Sequence, residues 1–214
     1  MILKVSKKLI ENNIYHKVEE NKILTRKTIT TIPLLNKDIV YLIGVIAGDG
    51  SLTRCKRNRG GNHHTLRITS NSPDYLNYIN KLLRENFLIG GQIYKDKRKN
   101  NTHYLATGNT SIFWYFEILE SKYNRTNKLP QICQNKEFFN HYLAGLIDTD
   151  GSVGLNKKRV QLKLKNEKII NEIFSRIKKA NPNPPKINYT NNVPFYYIRF
   201  DNIFPLRLKI WKSF

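Results

Sequence analysis

Two aspartates, Asp49 and Asp150, close two copies of one kind of stretch. Residues 41–52 read Tyr-Leu-Ile-Gly-Val-Ile-Ala-Gly-Asp-Gly-Ser-Leu, and residues 142–153 read Tyr-Leu-Ala-Gly-Leu-Ile-Asp-Thr-Asp-Gly-Ser-Val. Each is an apolar run with a small residue at its centre, patterned as the last turns of a buried helix. Leu42, Val45 and Ile46 share one face, and Leu143, Leu146 and Ile147 repeat it. Gly50 and Gly151 are expected to end these helices in the left-handed conformation. An aspartate there stands at the negative end of the helix dipole, where a cation is welcome and a carboxylate is not. A solvated helix end would account for one such residue. Two copies predict a partner, and a hard divalent cation held by carboxylate oxygens is the natural one.

The elements that must position these aspartates form an internal repeat. After the first Asp-Gly-Ser the pattern predicts a basic hairpin over 52–69 and a helix over 72–87 capped by Asn71 or Ser72. Strands over 92–97 and 102–107 and an aromatic helix over 111–123 follow. After the second come a hairpin over 153–165, a helix over 167–180, strands over 186–189 and 195–200, and a last segment from Ile203. The first hairpin is longer by the loop Lys56-Arg57-Asn58-Arg59-Gly60-Gly61. Each unit is therefore α-β-β-α-β-β-α, the first over residues 37–125 and the second over 137–214, joined by a linker over 126–136 that contains Pro130. Residues 1–36 are a basic lead-in. A helix over Lys4 to Glu20, with Val5, Leu9 and Ile10 on one face, is followed by an extended Thr- and Ile-rich stretch, residues 22–32, closed by Pro33. This lead-in either packs on the body or trails onto a polyanion.

Charge is the strongest bulk signal. The 214 residues carry 37 Lys+Arg against 16 Asp+Glu, a formal net charge of +21, which in a small domain calls for a polyanionic partner. No basic amphipathic helix with a broad apolar face stands out, which favours nucleic acid over a membrane surface. No apolar run approaches the roughly 18 residues of a transmembrane helix, and the start lacks a secretory signal, so an intracellular protein is expected. Cys55 and Cys133 form no Cys-x-x-Cys or Cys/His cluster, and the adjacent His63 and His64 lie in a basic loop, so neither a zinc site nor a disulfide framework is expected. The hairpin strands alternate: Val160, Leu162 and Leu164 against Gln161, Lys163 and Lys165; Leu66 and Ile68 against Thr65, Arg67 and Thr69; Ile198 and Phe200 against Tyr197 and Arg199. Their outer faces offer cations for phosphates and Arg, Gln and Thr for base edges in a major groove. The candidate DNA contacts are Arg54, Lys56, Arg57, Arg59, Arg67, Thr69, Ser70, Asn71, Gln161, Lys163, Tyr197 and Arg199.

Leu42-Ile-Gly-Val-Ile-Ala-Gly-Asp-Gly50 and Leu143-Ala-Gly-Leu-Ile-Asp-Thr-Asp-Gly151 resemble the motif that names the LAGLIDADG homing endonucleases. The second copy departs only at Thr149; the first is looser, at Ile43, Val45, Ala47 and Gly48. The resemblance covers about residues 38–214 and implies a single-chain, pseudo-twofold α+β protein. Its motif helices would lie side by side, and its antiparallel sheets would form a saddle in the major groove of a long, asymmetric duplex. Gly44 and Gly145, with Ala144, would let the motif helices approach closely, bringing Asp49 and Asp150 together around Mg2+, with Mn2+ able to substitute. The backbone carbonyls of Gly48 and Thr149 are added ligands by the same resemblance. It also implies basic or amide side chains around the metals: Lys165 in unit two, Ser70 or Asn71 in unit one, and Lys128 in the linker. The implied activity is double-strand cleavage leaving 3′ overhangs, by a monomer. An RNA-binding maturase acting on host intron RNA is the alternative, and a non-catalytic DNA-binding regulator a third reading.

Overall fold

The computed structural model describes residues 1–56, 62–97, 101–119, 128–154, 159–180, 186–190 and 195–201. At its centre are two helices, α2 (Lys37–Gly48) and α5 (Lys136–Asp150), numbered in chain order with the elements introduced below. Each begins on an asparagine cap. Asn36 Oδ1 accepts from the Ile39 amide at 2.9 Å, and Asn135 Oδ1 accepts from the Glu137 and Phe138 amides. Every residue from Ile39 to Ala47 is buried, as is every residue from Tyr142 to Ile147. Such helices are covered on all sides rather than amphipathic.

Glycine makes their contact close. A methyl group built on Gly44 would lie 2.1 Å from the Tyr142 carbonyl oxygen, and one on Gly145 would lie 2.2 Å from that of Tyr41. Backbone therefore meets backbone at the crossing.

The two units share one topology. In the first, β4 (Gly50–Lys56), β5 (Asn62–Ser70), β6 (Gln92–Lys95) and β7 (His103–Thr107) form an antiparallel sheet in the order β4-β5-β7-β6, with α3 (Pro73–Phe87) and α4 (Thr110–Ile118). In the second, β8 (Gly151–Gly154), β9 (Arg159–Leu164), β10 (Lys186–Thr190) and β11 (Phe195–Asp201) take the matching order β8-β9-β11-β10, with α6 (Glu167–Ala180). The expected repeat is thus present from its first helix through its fourth strand in both units. Inward side chains of the sheets, among them Leu66, Ile68, Leu105, Leu162, Leu164 and Ile198, join the α2–α5 core.

Two expectations are corrected. Gly50 and Gly151 do not end their helices in the left-handed conformation: Gly50 opens β4, and Gly151 has φ −90° and ψ 166°. They are glycines because each strand turns straight back over the helix it leaves. A Cβ would lie 2.5 Å from Ile46 Cα in the first copy and 2.3 Å from the Ile147 carbonyl in the second. The first helix is also shorter than expected. α1 (Ile2–Glu11) stops before Asn13, whose φ of 55° breaks the helix, and Ile10 is exposed while Val5 and Leu9 are buried. The segment beyond is a three-stranded sheet, β1 (His16–Glu19), β2 (Lys22–Thr25) and β3 (Ile29–Thr31), with Glu20 at φ 51° in the first turn.

The lead-in packs on unit one. Val5, Leu9, Ile23 and Ile32 enter the common core, Asn109 at the start of α4 donates to Thr30 Oγ1 at 2.9 Å, and Tyr115 donates to the Pro33 carbonyl at 3.1 Å. The end of the linker, a 3-10 turn over Gln131–Gln134, is held by α6: Arg176 donates to the Cys133 carbonyl and pairs with Glu172. α4 ends at Ile118, and the remainder of the expected 111–123 helix beyond residue 119 lies outside the described residues, as does the segment from Ile203.

Candidate metal centre and nucleic-acid interface

The two motif helices end together. Asp49 caps α2 and is exposed; its amide donates to the Val45 carbonyl at 3.1 Å, and its own carbonyl accepts from the Thr69 amide at 3.3 Å. The last residue of β5 but one is thereby tied to the motif. Asp150 is the last residue of α5. A Cβ on Gly48 would lie 2.0 Å from Thr149 Oγ1 and 3.2 Å from Asp150 Oδ2. The Asp150 carboxylate thus reaches the backbone of the residue preceding Asp49, and the two carboxylates share one end of the buried helix pair.

The donor set suits a hard cation. Thr149 Oγ1 turns back to donate to its own helix, to Gly145 O at 3.2 Å or Leu146 O at 3.0 Å, so the donor this residue offers outward is its carbonyl. The final carbonyls of an α-helix, here those of Gly48 and Thr149, have no intrahelical amide to accept from. Carboxylates and helix-terminal carbonyls are oxygen ligands of the kind Mg2+ and Mn2+ take. Among the described residues no group of three or more His, Cys, Asp or Glu side chains could hold a metal ion. The rest of any coordination shell must come from backbone, water and ligand.

A third motif acid enters the same end. Asp148 Oδ2 accepts from the Tyr41 hydroxyl of α2 at 2.7 Å, and the Tyr41 and Tyr75 hydroxyls lie 3.3 Å apart. Burial pushes the Asp148 carboxyl up to about 6, the Tyr41 hydrogen bond acting in the opposite sense. Burial likewise raises the Tyr75 phenol above its ordinary value, and the charges of Asp148 and Asp49 add to the rise. Sequence reasoning left Asp148 unassigned because nothing along the chain links it to Tyr41.

Strand register decides which side chains share the outer faces. In unit one, cross-strand partners place Ser51, Arg67, Ala106 and Gln92 in one row, and Thr69, Tyr104 and Tyr94 in the next, opposite the buried Leu66, Ile68 and Leu105. Arg67 lies 3.8 Å from the centre of the Tyr104 ring and 3.0 Å from Asp96 Oδ2, and Tyr104 stacks on Tyr94. In unit two, Ser152, Gln161, Arg199 and Lys186 form one row and Lys163, Tyr197 and Asn188 another.

Arg67, Thr69, Gln161 and Lys163 therefore lie on outer faces, and Tyr197 and Arg199 are the register partners of Lys163 and Gln161. Tyr94, Tyr104, Gln92 and Ser51 join them and were missed; the alternation around Leu105 in β7 was the available signal.

Other candidates fall elsewhere. Arg54 pairs in register with His64, on the helix side of the sheet, where it meets Glu117 at 2.9 Å and lies 4.3 Å from the Trp114 ring. Because β4 starts at Gly50, its parity sets Arg54 on the face opposite Arg67, with its side chain still exposed. Lys56 follows the same alternation. Ser70 Oγ accepts from the Ser72 amide, and Asn71 Oδ1 accepts from Thr102 Oγ1, so both are used within unit one. Arg57 and Arg59 lie outside the described residues. Lys165 is exposed at the end of β9, one residue before Asn166, whose side chain caps α6. Lys128 is exposed beside Leu129, whose amide donates to Glu172 of α6.

A family model described as a LAGLIDADG-like domain matches residues 36–120, and one described as a WhiA LAGLIDADG-like domain matches residues 139–209. The chain belongs to the LAGLIDADG family. Its fold is similar to that of I-DmoI solved in complex with DNA and Mn, with a TM-score of 0.60 at 19% identity over 76% of this chain and 88% of that one. Full-length DUF199/WhiA from Thermatoga maritima matches with a TM-score of 0.54 at 15% identity, over 80% of this chain and 53% of that one. I-SmaMI, solved as a double mutant, matches with a TM-score of 0.51 at 14% identity, over 79% and 80%. No curated protein sequence matches the chain. In this LAGLIDADG protein α2 and α5 are the motif helices, and the two four-stranded sheets flank them.

Proposed function

We propose that this LAGLIDADG protein is a site-specific, divalent-metal-dependent DNA endonuclease of the homing type, acting as a monomer. It would hydrolyse one phosphodiester bond on each strand of a long, asymmetric duplex and leave 3′ overhangs. The observation that carries the reading is the convergence of Asp49 and Asp150 at one end of a buried helix pair, between two sheets with basic and amide-bearing outer faces. The similarity to I-DmoI, solved with DNA and Mn, Mg or Ca, supports it.

Asp49 and Asp150, with the carbonyls of Gly48 and Thr149, would hold the ion, which when bound polarises a phosphoryl oxygen and lowers the pKa of a bound water. Two carboxylates at one end of a helix pair repel each other unless a proton or a cation intervenes, which supports a metal between them. Lys165 stands at the strand end of unit two as the cation toward the scissile phosphate, and Lys128 is a second candidate for that role. Arg67, Thr69, Gln161, Lys163, Tyr197 and Arg199 orient the duplex through phosphates and base edges. The reading places the protein with duplex DNA, inside the cell. The maturase alternative gains no support from the matches named above.

A DNA-binding protein without nuclease activity is the second reading, favoured by the likeness of residues 139–209 to the WhiA domain. It needs the basic faces but neither aspartate. A duplex site selected by binding from a random library separates the two. The double variant Asp49→Asn, Asp150→Asn should bind that site and lose Mg2+-dependent cleavage. Cleavage that survives in the double variant refutes the endonuclease assignment, and a wild-type chain that binds but does not cut with Mg2+ or Mn2+ establishes the second reading.

A further inference from the structure

The motif helices are related by a pseudo-twofold axis, yet the polar contacts between them are not: Lys37 pairs with Glu137 where the helices start, and Tyr41 donates to Asp148 on one side. The caps fix the correspondence of the two units. Ser72 Oγ accepts from the Tyr75 amide and Asn166 Oδ1 from the Ile169 amide, so Tyr75 and Ile169 hold equivalent places at the starts of α3 and α6. The motifs align Tyr41 with Tyr142 and Ala47 with Asp148. On one side of the axis, then, Tyr41 of α2, Asp148 of α5 and Tyr75 of α3 are joined through hydroxyls and a carboxylate. At the matching places on the other side stand Ala47 and Ile169, both buried and neither able to continue such a chain.

Tyr41 is 5% exposed, and Asp148 lies two residues before Asp150 on the same last turn of α5. Tyr75 belongs to the unit that carries Asp49. Most of the helix crossing is apolar or backbone on backbone, which gives attraction without direction. A hydrogen bond from the buried Tyr41 phenol to the half-buried Asp148 carboxylate is directional and charge-assisted, and breaking it leaves the phenol without its acceptor.

We infer that Tyr41, Asp148 and Tyr75 form a one-sided strut that fixes the end of α5, and with it Asp150, relative to Asp49, making Tyr41 and Asp148 positioning residues of the metal centre. The inference rests on the reading of Asp49 and Asp150 as metal ligands, and it assigns Asp148 no contact with the metal.

The test is a titration of the full chain with Mn2+ alone, read by loss of the free-ion EPR signal, with thermal unfolding recorded for each variant. Tyr41→Phe keeps the ring and removes the donor. Asp148→Asn keeps an acceptor for Tyr41, whereas Asp148→Leu removes it. Tyr41→Phe and Asp148→Leu should each weaken Mn2+ binding by roughly tenfold or more, as loss of an outer-shell partner does. Asp148→Asn should stay close to the wild-type affinity. Wild-type affinity in Tyr41→Phe and Asp148→Leu, even with a lowered melting temperature, overturns the strut as a positioning device. Asp148→Asn binding as weakly as Asp148→Leu overturns it differently, making Asp148 itself a ligand. The double variant Asp49→Asn, Asp150→Asn must lose the site; if it binds Mn2+ as the wild type does, the metal-centre reading fails along with the inference. Neither of the first two failures touches that reading.

Discussion

Replacing Gly145 by alanine tests the central packing claim. In an exposed helix interior the change stabilises by about 1 kcal/mol, because alanine restricts the unfolded chain. Here the new methyl carbon would stand 2.2 Å from the Tyr41 carbonyl oxygen and 2.9 Å from the Val45 amide nitrogen, both backbone atoms of the facing helix. Relief requires opening the α2–α5 crossing by on the order of 1 Å, enough to forfeit a quarter to a half of each contact's dispersion energy. Overpacking of this kind costs about 1–3 kcal/mol, and more where backbone must move. The expected net effect is a destabilisation of about 2–3 kcal/mol, opposite in sign to propensity. For a chain of this size that lowers the melting temperature by about 5–10 °C. Gly44→Ala should behave alike, since its methyl would meet the Tyr142 carbonyl at 2.1 Å. Gly108→Ala, whose nearest neighbour would be His63 Cε1 at 3.3 Å, is the control and should be near neutral. Urea or thermal unfolding gives the answer. A Gly145→Ala protein as stable as the wild type would refute backbone-to-backbone packing of the motif helices.

Two arginines of one hairpin should differ sharply. Arg67→Ala is expected to weaken DNA binding, and if Arg67 reads a base the loss is about 1–3 kcal/mol, concentrated at one base pair. Arg54→Ala should leave affinity unchanged and cost about 1 kcal/mol of stability through Glu117 and Trp114. Affinities of both variants on a selected duplex decide it; equal losses would overturn the assigned strand parity. His64 is buried beside Phe113 and Trp114, and among the described residues neither ring nitrogen has a hydrogen-bond partner. Burial, with the nearby charges of Arg54 and His63, holds its pKa below the ordinary 6.5. The unfolded chain then binds a proton that the folded chain resists, so stability present above pH 6.5 is lost as pH falls below it. The melting temperature should drop between pH 7.5 and 5.5, and less so in His64→Phe; an unchanged drop would exclude His64 as its source.

Much of this architecture was legible along the chain because its signals are local. The doubled motif announces the repeat, and α6 runs over Glu167–Ala180 as the pattern predicts. The Ser72 cap likewise sets the start of α3. What escaped depends on parity or on distance. Arg54 and Arg67 look equivalent as basic hairpin residues, yet register turns one toward the helices and the other outward. Strands β2 and β3 fall within the stretch read as extended, but β1 was read as helix because two non-glycine residues, Asn13 and Glu20, take positive φ, which propensity does not anticipate. Tyr41 and Asp148 lie 107 residues apart, and only the folded chain joins them.

The glycines after each aspartate carry the remaining argument. A left-handed cap would have let the chain leave the helix at a distance. The extended Gly151 and the strand-opening Gly50 instead fold each strand directly onto the last helical turn. That reversal leaves each aspartate as the outermost residue of its helix, with Thr69 of β5 bonded to the Asp49 carbonyl. Gly48, with no side chain of its own, leaves room for Thr149 and the Asp150 carboxylate beside Asp49. One sequence feature, small residues around an acid, thus does two jobs: it lets the helices touch, and it brings the outer sheet faces to the carboxylates. A cation held there would stand beside those outer faces, which is why centre and interface are best perturbed as one unit.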